Sequence, residues 1–489
     1  MLELLNDFLW GKLLIAMLIA VGIGFTVASR FVQFRYFGRM FRIFGAGQAF
    51  SRDKHGHLSS FQALLLSVAG RVGGGNIAGV AVAITLGGPG AIFWMWVVGL
   101  MGMATSFLEC TLAQAYKTAE PDGTYRGGPA YYISRGLGRN WKWLAVVYSF
   151  LLLVTFGFGF TALQSYSVAT SFEDAFGVPV IYTGIAMAIA VGVIIFGGVK
   201  RIARTAEVLV PVMAFGYLAI AVVVLAMNLE QVPTMLALIV KSAFGLEPAV
   251  GGGIGAAILM GVKRGLFSNE AGLGSAPNVA AVAYVPHPVN QGGVQALSVF
   301  IDTLVLCTCT ALIILLGTAY DPTLGTDVGG VALTQASLAT HVGEWGREFV
   351  SIALMLFGFS TIIYNYYLGE NSLNFFSEGN HMLFNAFRVA VIVLCGWGAT
   401  TDLSTVFGFA DVTMGLLALA NLLALIMLMR PGLRILRDFD DQVEAGIPRP
   451  VFDAANFVDL NIDATAWEIE PEDRQGTGRF VAESAAATR

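Results

Sequence analysis

About eleven stretches of this chain run for roughly 20 residues with hardly a charge among them, the length an α-helix needs to cross the hydrocarbon core of a bilayer. They fall near residues 10–32, 60–85, 90–116, 143–169, 178–199, 205–228, 251–284, 293–319, 347–369, 382–400 and 403–429, the seventh being long and interrupted. Lipid offers no partner to an open backbone, so such segments must be helices. Shorter apolar pieces at 232–245 and 329–343 read as helices lying at the interface. With 56 % hydrophobic and 12 % charged residues, and a mean hydropathy of +0.71, the chain could not cover a water-facing surface. The expectation is an all-α polytopic membrane protein. Glu3 and Asp7 precede the first apolar run, where a signal peptide would carry basic residues.

The net charge of −5 says less than where the charges lie. Arg30, Arg35, Arg39, Arg42, Arg52 and Lys54 follow the first span. Lys117, Arg126, Arg135, Arg139 and Lys142 follow the third, Lys200, Arg201 and Arg204 the fifth, and Arg430, Arg434 and Arg437 the last. If spans alternate, all four groups share one side, which the positive-inside rule makes cytoplasmic. The loops near 171–177 and 320–330 carry acidic residues without Lys or Arg. An odd number of spans then puts the N-terminus outside and the C-terminus inside the plasma (inner) membrane. Residues 438–489 turn acidic and polar and read as a weakly ordered cytoplasmic tail.

Several function classes are disfavoured. Cys110, Cys307, Cys309 and Cys395 sit in apolar runs with no CxxC pair, and the five histidines fall in or near polar connections, so neither an organic cofactor nor a catalytic metal is implied. No GxxxxGK[ST] motif is present, and the chain does not read as an enzyme or as an ATP-driven pump. A channel would show a repeated filter or a ring of like charges.

Two spans are broken. The second contains Gly70, Arg71, Val72, Gly73, Gly74, Gly75 and Asn76, and the seventh contains Gly265 to Gly274 with Phe267, Ser268, Asn269 and Glu270. Glycine costs about 1 kcal/mol relative to Ala in a helix. Close helix packing would explain the glycines, but not the polar residues beside them, which should face protein or a cavity. With the first span set aside, the broken helices open each half of a five-plus-five arrangement, the signature of an inverted repeat. The expected divisions are residues 1–59 (extra helix and basic loop), 60–228 and 229–429 (the two repeats) and 430–489 (tail). Half-helix N-termini suit a carboxylate, and half-helix C-termini suit an ammonium group or Na⁺. Glu270, Asp302 and Arg71 are candidates for coupling or gating, with Glu270 alternatively a structural acceptor for loop amides or Arg71, and Asp302 a gate residue paired with a basic side chain. Glu109 reads as a packing residue or one paired near the cytoplasmic face. Lys263 and Arg264 stand just before the second break as partners for carboxylates.

The segments Gly73–Gly79 (GGGNIAG), Gly87–Trp96 (GGPGAIFWMW), Gly127–Ile133 (GGPAYYI), Lys263–Pro277 (KRGLFSNEAGLGSAP) and Val299–Thr303 (VFIDT) resemble the alanine/glycine:cation symporter family. The resemblance implies a LeuT-like fold and Na⁺- or H⁺-coupled uptake of a small neutral amino acid such as alanine or glycine. It implies a sodium site at the carbonyls of Ala69 and Val72 and the hydroxyls of Ser360 and Thr361, which would otherwise read as back-bonded helix residues. Gly73, Gly74, Gly75, Asn76, Phe267, Ser268 and Asn269 then become substrate contacts. Gln164 and Ser165 either join the pocket or bond between helices. The chain departs from the family pattern at Gly74, where Thr is usual, and at Tyr364–Asn365, where Gly–Trp is usual; both positions line the expected pocket. The alternatives are a proton-coupled carrier of another small zwitterion and a passive channel.

Overall fold

The protein is described here by a computed structural model covering residues 2–47, 59–120, 124–246, 253–321 and 329–467. Arg52, Lys54 and the last 22 residues of the expected tail, 468–489, lie outside these described residues. The main helices are α1 (Leu5–Ala28), α2 (Ser60–Arg71), α3 (Gly75–Gly87), α4 (Gly90–Ala115), α5 (Arg139–Phe176), α6 (Val180–Ile195), α7 (Gly198–Met227) and α8 (Val232–Ala243). They continue with α9 (Gly253–Asn269), α10 (Ser275–Ala280), α11 (Pro288–Leu316), α12 (Val331–Val342), α13 (Trp345–Phe376), α14 (His381–Ala399), α15 (Leu403–Met427) and α16 (Met429–Glu444).

Each expected span has a helical counterpart, but the lengths are unequal. Eight helices among the described residues are long and apolar enough to span, and the bent pair α2–α3, with its 48° turn, makes nine. Of the remainder, α6 has only 16 residues, and α9 has 17 and ends at the second break. The all-helical expectation has one small exception: Thr118–Ala119 pairs antiparallel with Tyr125–Arg126.

Local chemistry sets the helix ends. Ser59 and Gln62 form a capping box before α2, Gln62 N–H donating to Ser59 Oγ (2.9 Å) and Ser59 N–H to Gln62 Oε1 (3.0 Å). His287 caps α11 by accepting the Val289 N–H, with Pro288 at the first helical position. Asp402 caps α15 through the Thr405 N–H at 2.9 Å. Close packing uses glycine where the notional Cβ has no room. On Gly261 it would lie 2.5 Å from the Ala91 carbonyl of α4, and on Gly292 it would lie 2.2 Å from Thr111 Oγ1. The outward faces carry large apolar side chains, such as Val212, Phe215 and Val222 on α7 and Val393 on α14, all more than half exposed.

The four basic segments meet at one end of the bundle. Arg35 bridges to Asp440 of α16 at 2.7 Å, Arg135 lies 3.7 Å from Asp463, and Lys200 shares a cleft with Arg126. Arg347, in the first turn of α13, and Asp174, in the last turn of α5, pair at 2.9 Å.

The expectation of a weakly ordered tail fails over residues 438–467. Helix α16 buries Ile435, Leu436 and Phe439, and the chain then runs back over the ends of the spans. Phe452 stacks on Phe457 and meets Trp467 and His287 edge-on. Trp467 Nε1 donates to the Ala115 carbonyl and Phe452 N–H to the Pro286 carbonyl. These aromatics follow no helical or strand period, so their shared burial is invisible before the surface they cover exists. Trp467 and Tyr125 sandwich the Lys117 ammonium at 4.2 and 4.1 Å. Burial pushes that amine down to about 7.

Candidate functional site at the two helix breaks

At the first break the helix stops at Val72, whose ψ of 91° leaves the helical path, and resumes at Gly75. The glycines are there because neighbours press on the backbone. A Cβ on Gly70 would sit 2.2 Å from the Tyr364 ring, on Gly73 2.6 Å from Thr361 Oγ1, and on Gly74 2.9 Å from Gln164 Oε1. Gln164, on α5, accepts the Gly74 N–H at 2.9 Å, so a side chain at Gly74 would push the end of Gln164 aside. Asn76 Oδ1 accepts the Gly73 N–H at 3.0 Å. Two side-chain oxygens thus occupy the N–H groups at which a carboxylate would bind.

On the other side of the break, Ser360 Oγ and Thr361 Oγ1 donate to the Ala69 carbonyl at 3.2 and 3.0 Å, and Thr361 reaches the Gly70 carbonyl at 3.4 Å. Both hydroxyls also back-bond to Phe357. Oxygens this far apart have the spacing of neighbouring ligands around a hard cation held at 2.3–2.6 Å.

The second break is built differently. Glu270 takes a left-handed conformation (φ 56°), followed by positive φ at Gly272 and Gly274. Glu270 accepts from Ser275 Oγ at 2.6 Å and from the Tyr364 hydroxyl at 3.3 Å. Glu109 of α4 accepts the Gly272 N–H (3.2 Å) and the Asn421 amide (3.1 Å), and Asn421 donates to the Gly272 carbonyl. Glu109 is therefore an anchor of the break. Tyr132 bonds Asn421, and Tyr148 bonds the Leu273 carbonyl. Most of the backbone beyond Asn269 is engaged in structural bonds, so the open side of this break is confined to Phe267, Ser268 and Asn269. The Phe267 ring lies against Gly75 and packs on Phe160 and Phe407. Asn269 uses its oxygen on the Ala271 N–H, and its Nδ2 has no partner among the described residues.

Asp302 joins the breaks, in a π-helical part of α11, Phe300–Cys307. Its Oδ1 accepts from Asn76 at 2.7 Å and its Oδ2 from Ser268 at 2.6 Å and Thr303 at 2.9 Å. The expected pairing of Asp302 with a basic side chain near the end of its span is thus replaced by polar partners from both broken helices. Arg71 does not serve Glu270 directly; it donates to the Gln295 carbonyl, Ser298 and Ser106, tying α2 to α11 and α4. Ser165 is an interhelical donor to the Cys395 carbonyl at 2.5 Å, away from the break. Asn365 is fully buried on α13, one turn beyond Thr361.

Sequence reasoning missed Asp411. Lys263 and Arg264 both bridge to its Oδ2, at 2.8 and 2.7 Å, and Arg264 lies over the Phe407 ring. A lone acidic residue within the apolar run 403–429 was the available signal. On the same side, Phe407 lines a cavity of about 150 Å³ with Ala78, Ser167, Thr170 and Gln335.

A profile of the sodium:alanine symporter family matches residues 1–454. Among similar proteins, a probable sodium/glutamine symporter GlnT of Bacillus subtilis is 47 % identical over 91 % of each chain. The amino-acid carrier protein AlsT of the same organism is 45 % identical over 96 % of this chain and 97 % of its own. The sodium/alanine symporter AgcS of Methanococcus maripaludis is 39 % identical over 86 % of this chain and 93 % of its own. The broken helices thus belong to a transporter and not an enzyme, and the chain is a member of the sodium:alanine symporter family.

Proposed function

We propose that this protein is a sodium-coupled symporter that takes up a small neutral amino acid by alternating access. The observation that carries the reading is the convergence of the Ser360 and Thr361 hydroxyls on the Ala69 and Gly70 carbonyls, where the first helix opens. Na⁺ entering between them exchanges each hydroxyl–carbonyl hydrogen bond for coordination to both oxygens, with Val72 supplying a further carbonyl. The substrate carboxylate displaces Asn76 Oδ1 and Gln164 Oε1 from the Gly73 and Gly74 N–H groups. Its ammonium group faces Phe267, Ser268 and Asn269. The relatives are named for alanine and for glutamine, which supports a neutral amino acid as substrate.

Broken helices at the first position of each five-helix half support a LeuT-like inverted repeat, residues 60–228 and 229–429, preceded by one extra helix. The gathering of basic loops at one end supports a cytoplasmic C-terminus and an outside N-terminus. Proton coupling is a second reading, favoured by Asp302, whose carboxylate touches polar side chains of both breaks.

The test is uptake of labelled alanine, glycine and glutamine into proteoliposomes with and without an inward Na⁺ gradient. Accumulation above the outside concentration only with the gradient is expected. Equilibration without accumulation would establish a passive channel, and accumulation driven by a pH gradient alone would establish proton coupling.

A further inference from the structure

Asn365 differs from the other polar residues around the first break. Its side chain is fully buried, and neither Oδ1 nor Nδ2 has a hydrogen-bond partner among the described residues. Gln164, Asn76, Ser268, Asp302, Ser360 and Thr361 all have one. A buried amide with both ends unsatisfied is costly, and such groups persist where something else supplies the partners.

Helix geometry says where this amide points. Thr361, four residues earlier on the same face of α13, touches the Ala69 and Gly70 carbonyls. Gly358, on the adjoining face, presses on Val168 of α5, and Gly369 presses on Phe387 of α14 with Leu153 of α5 beside it. Asn365 lies between these directions. It therefore lies on the side of α13 between the first break and the π-helical stretch Leu153–Phe160 of α5, whose Phe156 and Phe160 pack on Tyr364 and Phe267. One helical turn, about 5.4 Å, separates it from the hydroxyl at the ion position.

We propose that Asn365 is the specificity-determining residue for the substrate side chain and that it selects amino acids ending in a carboxamide, those of the glutamine class. The inference rests on the symport reading above, with the α-carboxylate held at Gly73 and Gly74. A carboxamide is the chemical complement of Asn365: Nδ2 donates to the substrate carbonyl, and Oδ1 accepts from the substrate NH₂. An aliphatic side chain leaves both Asn365 atoms unpaired, and a carboxylate side chain, being acceptor-only, leaves Oδ1 without a donor. Sites built to hydrogen-bond a substrate discriminate strongly against analogues lacking the group, here by about tenfold or more.

The experiment measures Na⁺-driven uptake of L-glutamine, L-alanine and L-methionine (similar in length to glutamine, without the amide) by the full-length protein in proteoliposomes. The wild type is expected to favour glutamine over methionine by at least about tenfold in kcat/KM, and Asn365→Leu and Asn365→Asp are expected to lower that ratio by at least about tenfold. An unchanged ratio in Asn365→Leu overturns the proposal, as does wild-type Na⁺-driven uptake of alanine with no preference for glutamine. If no amino acid accumulates under the Na⁺ gradient, the symport reading itself falls. Should the variants fail to fold, ligand-dependent melting of the wild type in Na⁺ decides: glutamine must raise Tm more than alanine at equal concentration, and equal shifts overturn the assignment.

Discussion

The first break, at Gly70–Gly79, is opened by glycines, whereas the second, at Phe267–Gly274, is opened by side chains that take over the backbone's hydrogen bonds. At the first, Tyr364 and Thr361 crowd the backbone closely enough to exclude a Cβ, and the side chains of Gln164 and Asn76 hold the Gly74 and Gly73 N–H groups. At the second, Glu109, Asn421, Tyr148 and Ser275 fix the loop from α4, α15, α5 and α10, and Glu270 is held at φ 56°. A left-handed non-glycine residue costs about 1–3 kcal/mol and persists only where its surroundings over-determine it. A lightly held break can exchange its internal bonds for those of an ion and a zwitterion. A break pinned on three sides keeps its shape and offers a fixed wall.

The sharpest way to break this contrast is at Gly70. Gly70→Ala places a methyl 2.2 Å from the Tyr364 ring, so uptake should be lost and stability should fall by about 1–3 kcal/mol. Gly70→Ala with Tyr364→Ala should recover part of that loss in a thermal-melt cycle; strict additivity of the two changes would remove the clash as the reason for glycine. Next comes the ion side. Ser360→Ala and Thr361→Ala should each raise the Na⁺ concentration for half-maximal uptake by about tenfold, corresponding to about 1.4 kcal/mol. An unchanged Na⁺ dependence takes those hydroxyls out of the ion site.

The second break is probed by Glu109→Gln, which presents an NH₂ to one of two donors, the Gly272 N–H or the Asn421 amide. A loss of about 1–3 kcal/mol of stability is expected, with the Na⁺ requirement less affected than in Ser360→Ala. A shift of Na⁺ affinity as large as that of Ser360→Ala, with stability intact, would move Glu109 from the scaffold to the coupling machinery. The smallest effect belongs to Arg434→Ala, far from both breaks. Its bridge to Asp459 is exposed, so melting should change by no more than about 1 kcal/mol and uptake should stay at the wild-type level.

Much of the site was legible because lipid makes polar residues and consecutive glycines conspicuous. Gly73, Gly74, Asn76, Ser268, Glu270 and Asp302 announced themselves by interrupting apolar runs, and the structure brings them together. Partners were not legible. Nothing local told that Arg71 would serve Ser106, Gln295 and Ser298, that Lys263 and Arg264 would share Asp411, or that Ser165 would turn to α14. A buried polar group can be satisfied by any neighbour the packing delivers, and those neighbours lie 35 to 230 residues away in the chain.

The sequence by itself determined the solvent of this protein, the places where its helices must open, and the gathering of its basic loops, because hydropathy, glycine and charge act locally. Only the tertiary structure decided that one break is glycine-crowded and the other pinned by Glu109 and Asn421. It alone showed that Asp302 spans the two breaks and that Phe452, Phe457 and Trp467 dock the chain beyond α16 onto the bundle. Those outcomes depend on which faces meet, and a helix face acquires its meaning from the helix opposite it.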